Sequence, residues 1–254
     1  MQQFDLTGRV ALVTGASSGL GAGFARVLAE AGAHVALVAR RADRLEALAD
    51  ELRGEGLSAL PVVMDVTDVT SIQVALDKVE ADLGAVQILV NNAGISRSGF
   101  LRRMSEEDWD AVLDTNLKSV WQVAAQVVNR MIAASAQGTV INISSVLGFG
   151  ASKVLGPYMA AKAGVVQLTR SMAMEWAENN IRVNAIAPGY FPTEINEGFF
   201  ETSKGLAMIE RIPMKRIGDP TELAGPLLLL ASDASSFMTG STLVVDGGHL
   251  CQQL

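Results

Sequence analysis

Val10-Ala11-Leu12-Val13-Thr14-Gly15-Ala16-Ser17-Ser18-Gly19-Leu20-Gly21 is the stretch on which the fold turns. Its first half is a short β-branched, apolar run, which reads as a buried strand. Its second half is a glycine-rich turn of the form GxxxGxG, and the segment Gly21 to Ala31 that follows reads as a helix stopped by Gly32. Glycine removes the Cβ that would keep a bulky ligand away from the backbone. The N–H groups at the start of the helix then face whatever anion sits over the turn. A strand, such a turn and a helix in that order point to a phosphate-binding element of a dinucleotide fold. The residues that would line it are Gly15, Ser17, Ser18, Gly19, Leu20 and Gly21.

The same alternation continues outward. Strands are predicted at Val35 to Ala39, Leu60 to Met64, Gln87 to Asn91, Thr139 to Ile143, Arg182 to Ile186 and Thr242 to Val245. Pro61 is read as marking the start of its strand. Helices are predicted at Ala42 to Arg53, Val69 to Leu83, Ser105 to Ala134, Tyr158 to Glu178 and Pro220 to Ala231. Near-continuous apolar strands suit a sheet covered on both faces, and strand–helix alternation implies parallel, right-handed crossovers. The expected class is α/β: a Rossmann-type, doubly wound parallel sheet of seven strands flanked by helices. The chain has 254 residues and no linker-like stretch, so residues 1–254 are expected to form one dinucleotide-binding and catalytic domain. Residues 190–218 lack periodicity and hold Phe191, Phe199, Phe200, Met208 and Met214, which points to a substrate lid.

Composition excludes several classes. Hydrophobic residues make up 49% of the chain, too many for a disordered protein. The net charge of −7 argues against nucleic acid as a partner. No apolar run approaches a bilayer span, so a membrane partner is not expected either. The N-terminus lacks a basic region followed by an apolar one, and a single cysteine, Cys251, fits a reducing, cytoplasmic location. Two histidines and one cysteine make a Cys/His zinc site unexpected, and no metal is predicted.

At the end of the second strand an acid often binds the adenosine ribose. Here Arg40 and Arg41 stand there, and guanidiniums suit a 2′-phosphate. That predicts NADP(H), with NAD(H) as the alternative. Tyr158 and Lys162 are four apart, hence on one helical face. A neighbouring ammonium favours phenolate, so the pair suits proton exchange with an alcohol or carbonyl. Ser144 and Ser145 end a strand, Ser145 thirteen residues before Tyr158, and a serine there can hydrogen-bond a carbonyl oxygen. Asn91-Asn92-Ala93-Gly94 ends another strand in the same way.

Together these residues resemble the short-chain dehydrogenase/reductase superfamily, in its compact single-domain branch, over essentially the whole chain. Thr14 to Gly21 matches the TGxxxGxG turn, Asp65-Val66 the adenine pair, and Asn91 to Gly94 the NNAG motif. Asn116, Ser145, Tyr158 and Lys162 match the catalytic tetrad. Pro188, Gly189 and Thr193 match the stretch that contacts the nicotinamide carboxamide, and Asp246-Gly247-Gly248 the terminal turn. The resemblance implies hydride transfer between NADP(H) and a small-molecule carbonyl or secondary alcohol. Tyr158 would be the general acid/base, and Lys162 would lower its pKa and hold the nicotinamide ribose. Ser145 would fix the carbonyl, and Asn116 would hold a helix kink and a water of the proton relay. The cofactor would touch Asn92, Ala93 and Gly94 as well as Tyr158 and Lys162.

Several scaffold segments are similar to gluconate 5-dehydrogenases and their sugar-acid relatives, so a sugar acid or polyol is the expected substrate. Ser145, Tyr158 and Tyr190 would meet it. Arg97 could pair with a substrate carboxylate, although a solvated surface arginine is the plainer reading. The apolar lid suits an alternative, a 3-oxoacyl thioester reductase. A catalytically idle nucleotide-binding module is an alternative of another class, and the filled tetrad argues against it. The resemblance implies that the apolar helices holding Trp109, Trp121 and Trp176, and the last strand, pack against other subunits in a homotetramer, and the tail from His249 to Leu254 could reach a neighbouring subunit's site.

Overall fold

The computed structural model describes residues 2–196 and 198–251. Strands and helices alternate from β1 (Val10–Thr14) and α1 (Gly19–Glu30) through β2 (His34–Ala39), α2 (Ala42–Gly54), β3 (Ala59–Val63) and α3 (Val69–Leu83) to β4 (Ile88–Asn91). The second half runs through α4 (Glu106–Leu113), α5 (Ser119–Ala133), β5 (Gly138–Ile143), α6 (Gly156–Trp176) and β6 (Ile181–Pro188). It ends with α7 (Ser203–Ile209), α8 (Ala224–Ala231) and β7 (Thr242–Val245). The strands form one sheet in the order β3-β2-β1-β4-β5-β6-β7, with every pairing parallel. The seven-strand, helix-flanked, Rossmann-type reading is therefore correct.

Alternation along the strands builds a core on each side of the sheet. From β1, Ala11 and Val13 point to the face covered by α1, α2 and α8, where Phe24, Leu28, Leu45, Leu52 and Leu227 pack. Val10 and Leu12 point to the opposite face, against Ile72 and Leu76 of α3, Val123 and Val127 of α5 and Met172 of α6. Both faces are apolar because both are covered, and this is why the strands read as continuous apolar runs. Leu12 is fully buried, so truncating it to alanine costs about 2–5 kcal/mol.

Helix ends follow local chemistry. Asp68 accepts the Thr70 N–H at 2.8 Å to open α3, and Ser105 accepts the Asp108 N–H at 3.1 Å to open α4. Three local readings need correction. Pro61 lies within β3, opposite Leu37, not at its start. An edge strand that pairs only with β2 tolerates a residue without an N–H. The helix expected from Pro220 begins as a 3-10 turn, Pro220–Leu223, capped by Asp219 and Glu222, before α8. The long helix expected from Ser105 is interrupted by a π-helical turn, Asp114–Lys118.

The sheet order reverses at β1, whose neighbours are β2 and β4. The carboxyl ends of β1 and β4 therefore flank the crevice where an open α/β sheet receives ligands. No helix among the described residues is long and apolar enough to cross a membrane.

Candidate active site

The glycine turn and the turn after β4 are stitched together by one hydroxyl. Thr14 Oγ1 accepts the N–H groups of Asn92 and Ala93, each at 3.0 Å. Asn92 Nδ2 returns a bond to the Thr14 carbonyl at 2.9 Å. The packing leaves no room for side chains: a Cβ on Gly21 would lie 2.2 Å from the Gly15 carbonyl oxygen, and one on Gly15 would lie 2.9 Å from Ala93 Cα. Gly15 and Gly19 also adopt left-handed φ values of +68° and +54°. Ser18 precedes α1 in extended conformation, and its side chain does not cap the helix. Its hydroxyl instead accepts Arg41 Nη2 at 2.6 Å. The first-turn amides of α1 thus have no side-chain cap, which fits a pyrophosphate.

The two arginines after β2 differ. Arg41 reaches back over the turn, with Nη2 also 3.0 Å and Nε 3.2 Å from Ser17 Oγ, while Nη1 lies 3.3 Å from Glu194 Oε2. Arg40 is more exposed, and its Nη1 is 3.9 Å from Asp65 Oδ2. The Asp65 carboxylate accepts both the N–H and the hydroxyl of Thr67, at 2.9 and 2.7 Å, and Val66 beside it is buried. Arg44, one turn along α2 from Arg41, also pairs with Glu194. Hydrogen bonds from Arg44, Ser18 and Arg41, in that order, hold the Glu194 carboxyl below its usual range. The sequence reading missed Arg44 and Glu194. The i, i+3 spacing from Arg41 could have signalled Arg44. Glu194 lies 150 residues further along, and no local pattern brings it there.

Beyond β5, Tyr158, Lys162 and Ser145 lie together. Tyr158 and Lys162 lie on one face of α6, with Lys162 Nζ 5.6 Å from the Tyr158 ring centroid. Lys162 Nζ donates to the Ile143 carbonyl at 2.8 Å, and Ser144 Oγ donates to the Lys162 carbonyl at 2.9 Å. Ser144 therefore braces α6 against β5, while Ser145 faces the Tyr158 phenol and opposes the rise of its pKa. Ser145 Oγ also accepts the Leu147 N–H at 3.1 Å. Burial pulls Lys162 down to about 8. Burial also raises the Tyr158 phenol, the Ser145 bond opposes this, and Tyr190 adds to it. The expected lowering of the phenol by its lysine does not figure among these causes: desolvation comes first and raises the phenol.

Asn116 is fully buried in the π-helical turn. Its side chain takes the Ile95 N–H and gives to the Ile95 carbonyl, both at 2.8 Å. It thus ties the helical interruption to the segment after Gly94, where a Cβ would lie 3.3 Å from Asn116 Oδ1.

At the end of β6, Gly189 donates to the Val245 carbonyl at 2.8 Å, and a Cβ there would lie 2.7 Å from Asp246 Cα. Pro188 is buried at the strand end. Thr193 sits over the glycine turn: a Cβ on Gly19 would lie 3.7 Å from Thr193 Cβ. Tyr190 stands edge-on to Phe200 and His249, with centroids 6.3 and 5.3 Å away. His249 Nδ1 is buried without a hydrogen-bond partner among the described residues. Phe191, expected in the lid, is instead core, 4% exposed and packed on Gly218. Arg97 is exposed and pairs with Asp108 at 3.4 Å. Of the tail, Gln252 to Leu254 lie outside the described residues.

The short chain dehydrogenase family matches residues 9–204 of the chain. The 3-oxoacyl-(acyl-carrier-protein) reductase FabG of Thermotoga maritima is 42% identical over 243 residues, covering 96% of this chain and 98% of that protein. Gluconate 5-dehydrogenase of Gluconobacter oxydans is 40% identical over 246 residues, with 96% of each covered. Among solved structures, a gluconate 5-dehydrogenase from Burkholderia cenocepacia in complex with NADP and tartrate superposes with a TM-score of 0.95 at 41% identity, covering 99% of each chain. The chain belongs to the short-chain dehydrogenase/reductase family and is an NAD(P)-dependent oxidoreductase acting on CH–OH groups.

Proposed function

We propose that the chain interconverts a secondary alcohol and a carbonyl on a sugar acid or polyol, with NADP(H) as its preferred cofactor and Tyr158 as the general acid/base. The observation that carries this is the convergence of Tyr158, Ser145 and Lys162 beside the β1/β4 crevice. Bound there, the nicotinamide accepts or gives the hydride. Gly15, Ser17, Ser18, Gly19, Leu20 and Gly21 would hold the cofactor's pyrophosphate. Arg40 and Arg41 take the 2′-phosphate, with Arg44 adding a third guanidinium. Asp65 and Val66 hold the adenine, and Asn92, Ala93 and Gly94 floor the crevice. Pro188, Gly189 and Thr193 meet the carboxamide end. The NADP in the Burkholderia relative supports this preference.

Ser145 orients the substrate oxygen and Tyr158 exchanges a proton with it. As a phenol raised by burial, Tyr158 is the proton donor for carbonyl reduction at neutral pH. Lys162 binds the nicotinamide ribose, and Asn116 keeps the wall of the crevice in place. Residues 190–218 act as a lid over the substrate.

The buried, unpartnered Nδ1 of His249 beside Tyr190 supports a hydroxylated substrate, because a buried polar nitrogen calls for a partner. The exposed Phe199 and Leu206 on the lid favour the second reading, a 3-oxoacyl thioester. Cofactor absorbance with sugar acids, polyols and acyl thioesters, each with NADPH and NADH, separates the two. Turnover confined to acyl thioesters rejects the sugar-acid reading, and a preference for NADH rejects the cofactor assignment.

The groove lined by Leu113, Leu117, Trp121 and Leu168 between α5 and α6 supports a second copy docking there, as the homotetramer reading requires. The half-exposed β7 supplies a second contact.

A further inference from the structure

Two guanidiniums from a distant part of the chain converge on one carboxylate. Arg41 and Arg44 of the α2 region both pair with Glu194, which follows β6. Ser17 and Ser18 accept hydrogen bonds from Arg41. Two guanidiniums on one anion, with serine hydroxyls set against one of them, are a donor set suited to a phosphate monoester. Glu194 fills that set with a carboxylate of the protein itself.

We propose that Glu194 is an internal competitor for the 2′-phosphate of the cofactor, released from Arg41 and Arg44 when that phosphate arrives and retained when the cofactor lacks it. This rests on the assignment of the arginine cluster to NADP(H). Glu194 thereby weakens NADP(H) relative to NAD(H) and brings the two cofactors closer in affinity.

The geometry makes the exchange feasible. Glu194 lies between Thr193, which sits over Gly19, and Asn196, whose amide bonds Thr193 N–H and the Phe191 carbonyl at 2.8 and 2.7 Å. Phe191 is anchored in the core, so the carboxylate swings on a short tether fixed at one end. The side chains of Arg41, Arg44 and Glu194 are 43%, 49% and 47% exposed. Ion pairs this wet are weak and readily exchanged. A phosphate monoester brings up to two charges and three oxygens against one charge and two oxygens, so it wins the site.

Calorimetric titration of the full chain with adenosine 2′,5′-bisphosphate and with 5′-AMP tests this in wild type and Glu194→Gln. The variant is expected to bind the bisphosphate about two- to fivefold more tightly and 5′-AMP with unchanged affinity. Equal bisphosphate affinity in the two proteins overturns the proposal while leaving the cofactor assignment intact. Equal tightening of both ligands also overturns it, because Glu194 would then obstruct the glycine turn as a whole. A wild type that does not distinguish the two ligands removes the cofactor assignment, and the proposal with it. Arg44→Gln checks the direction, since losing a phosphate ligand weakens the bisphosphate alone.

Discussion

Lys162 Nζ lies 5.6 Å from the Tyr158 ring centroid and bonds the Ile143 carbonyl, so its charge is anchored to the end of β5 and not to the phenol. The lysine is thereby fixed at a constant distance from the tyrosine by backbone. Lys162 is buried and Tyr158 partly buried, and desolvation drives both towards their neutral forms: Lys162 down to about 8 and Tyr158 upward.

The pH dependence of the two directions follows. Oxidation needs phenolate, whose fraction is small at neutral pH and grows as pH rises. Reduction needs phenol, present in full until the raised value is approached. Alcohol oxidation is expected to climb throughout pH 7–10, with kcat/KM for reduction flat or falling over that range. Initial rates in both directions check this, and a shared optimum contradicts Tyr158 as the proton carrier.

Lys162 costs stability for its function. Its folded pKa of about 8 lies below the ordinary 10.5, so between those values the unfolded chain binds more protons and stability from this group rises with pH. Below about 8 the full penalty applies, about 3 kcal/mol at most. Losing the bond to Ile143 offsets about 1 kcal/mol. Lys162→Met is therefore expected to raise Tm at pH 7 by about 4 °C while removing activity. A lowered Tm contradicts the burial argument.

Asn116→Ala strips both hydrogen bonds from Ile95 in a fully buried place. It is expected to destabilise by about 2–3 kcal/mol and to lower kcat more than it raises KM. Denaturant unfolding with steady-state kinetics measures both, and an unchanged stability rejects the brace.

Trp121 is half exposed at the edge of the α5/α6 groove. Trp121→Glu is expected to break the assembly into smaller species by light scattering. A wild type that is already monomeric removes the homotetramer reading.

Most of the fold was legible because periodicity reports burial directly. β1, α3 and β7 have the predicted bounds, and each is either continuously apolar or closed by a strong cap. Pro61 was misplaced because edge position, which excuses a missing N–H, depends on strand order and not on local sequence. The π-turn around Asn116 was legible only as the helix kink that the resemblance implies; the bonds that tie it to Ile95 are made by the folded chain. Tyr158, Ser145 and Lys162 were legible from spacing and resemblance, but the direction of the phenol's pKa was not, because desolvation and the charge of Tyr190 act only in the folded chain. Glu194 was invisible for the same reason: only the folded chain brings it to Arg41.

The most direct test of the central claim is NADPH consumption by Tyr158→Phe, with the substrate that wild type turns over best, alongside NADPH binding. The account predicts a loss of turnover of at least about a hundredfold with binding nearly unchanged. Turnover close to wild type would show that another group carries the proton and would contradict the assignment of Tyr158.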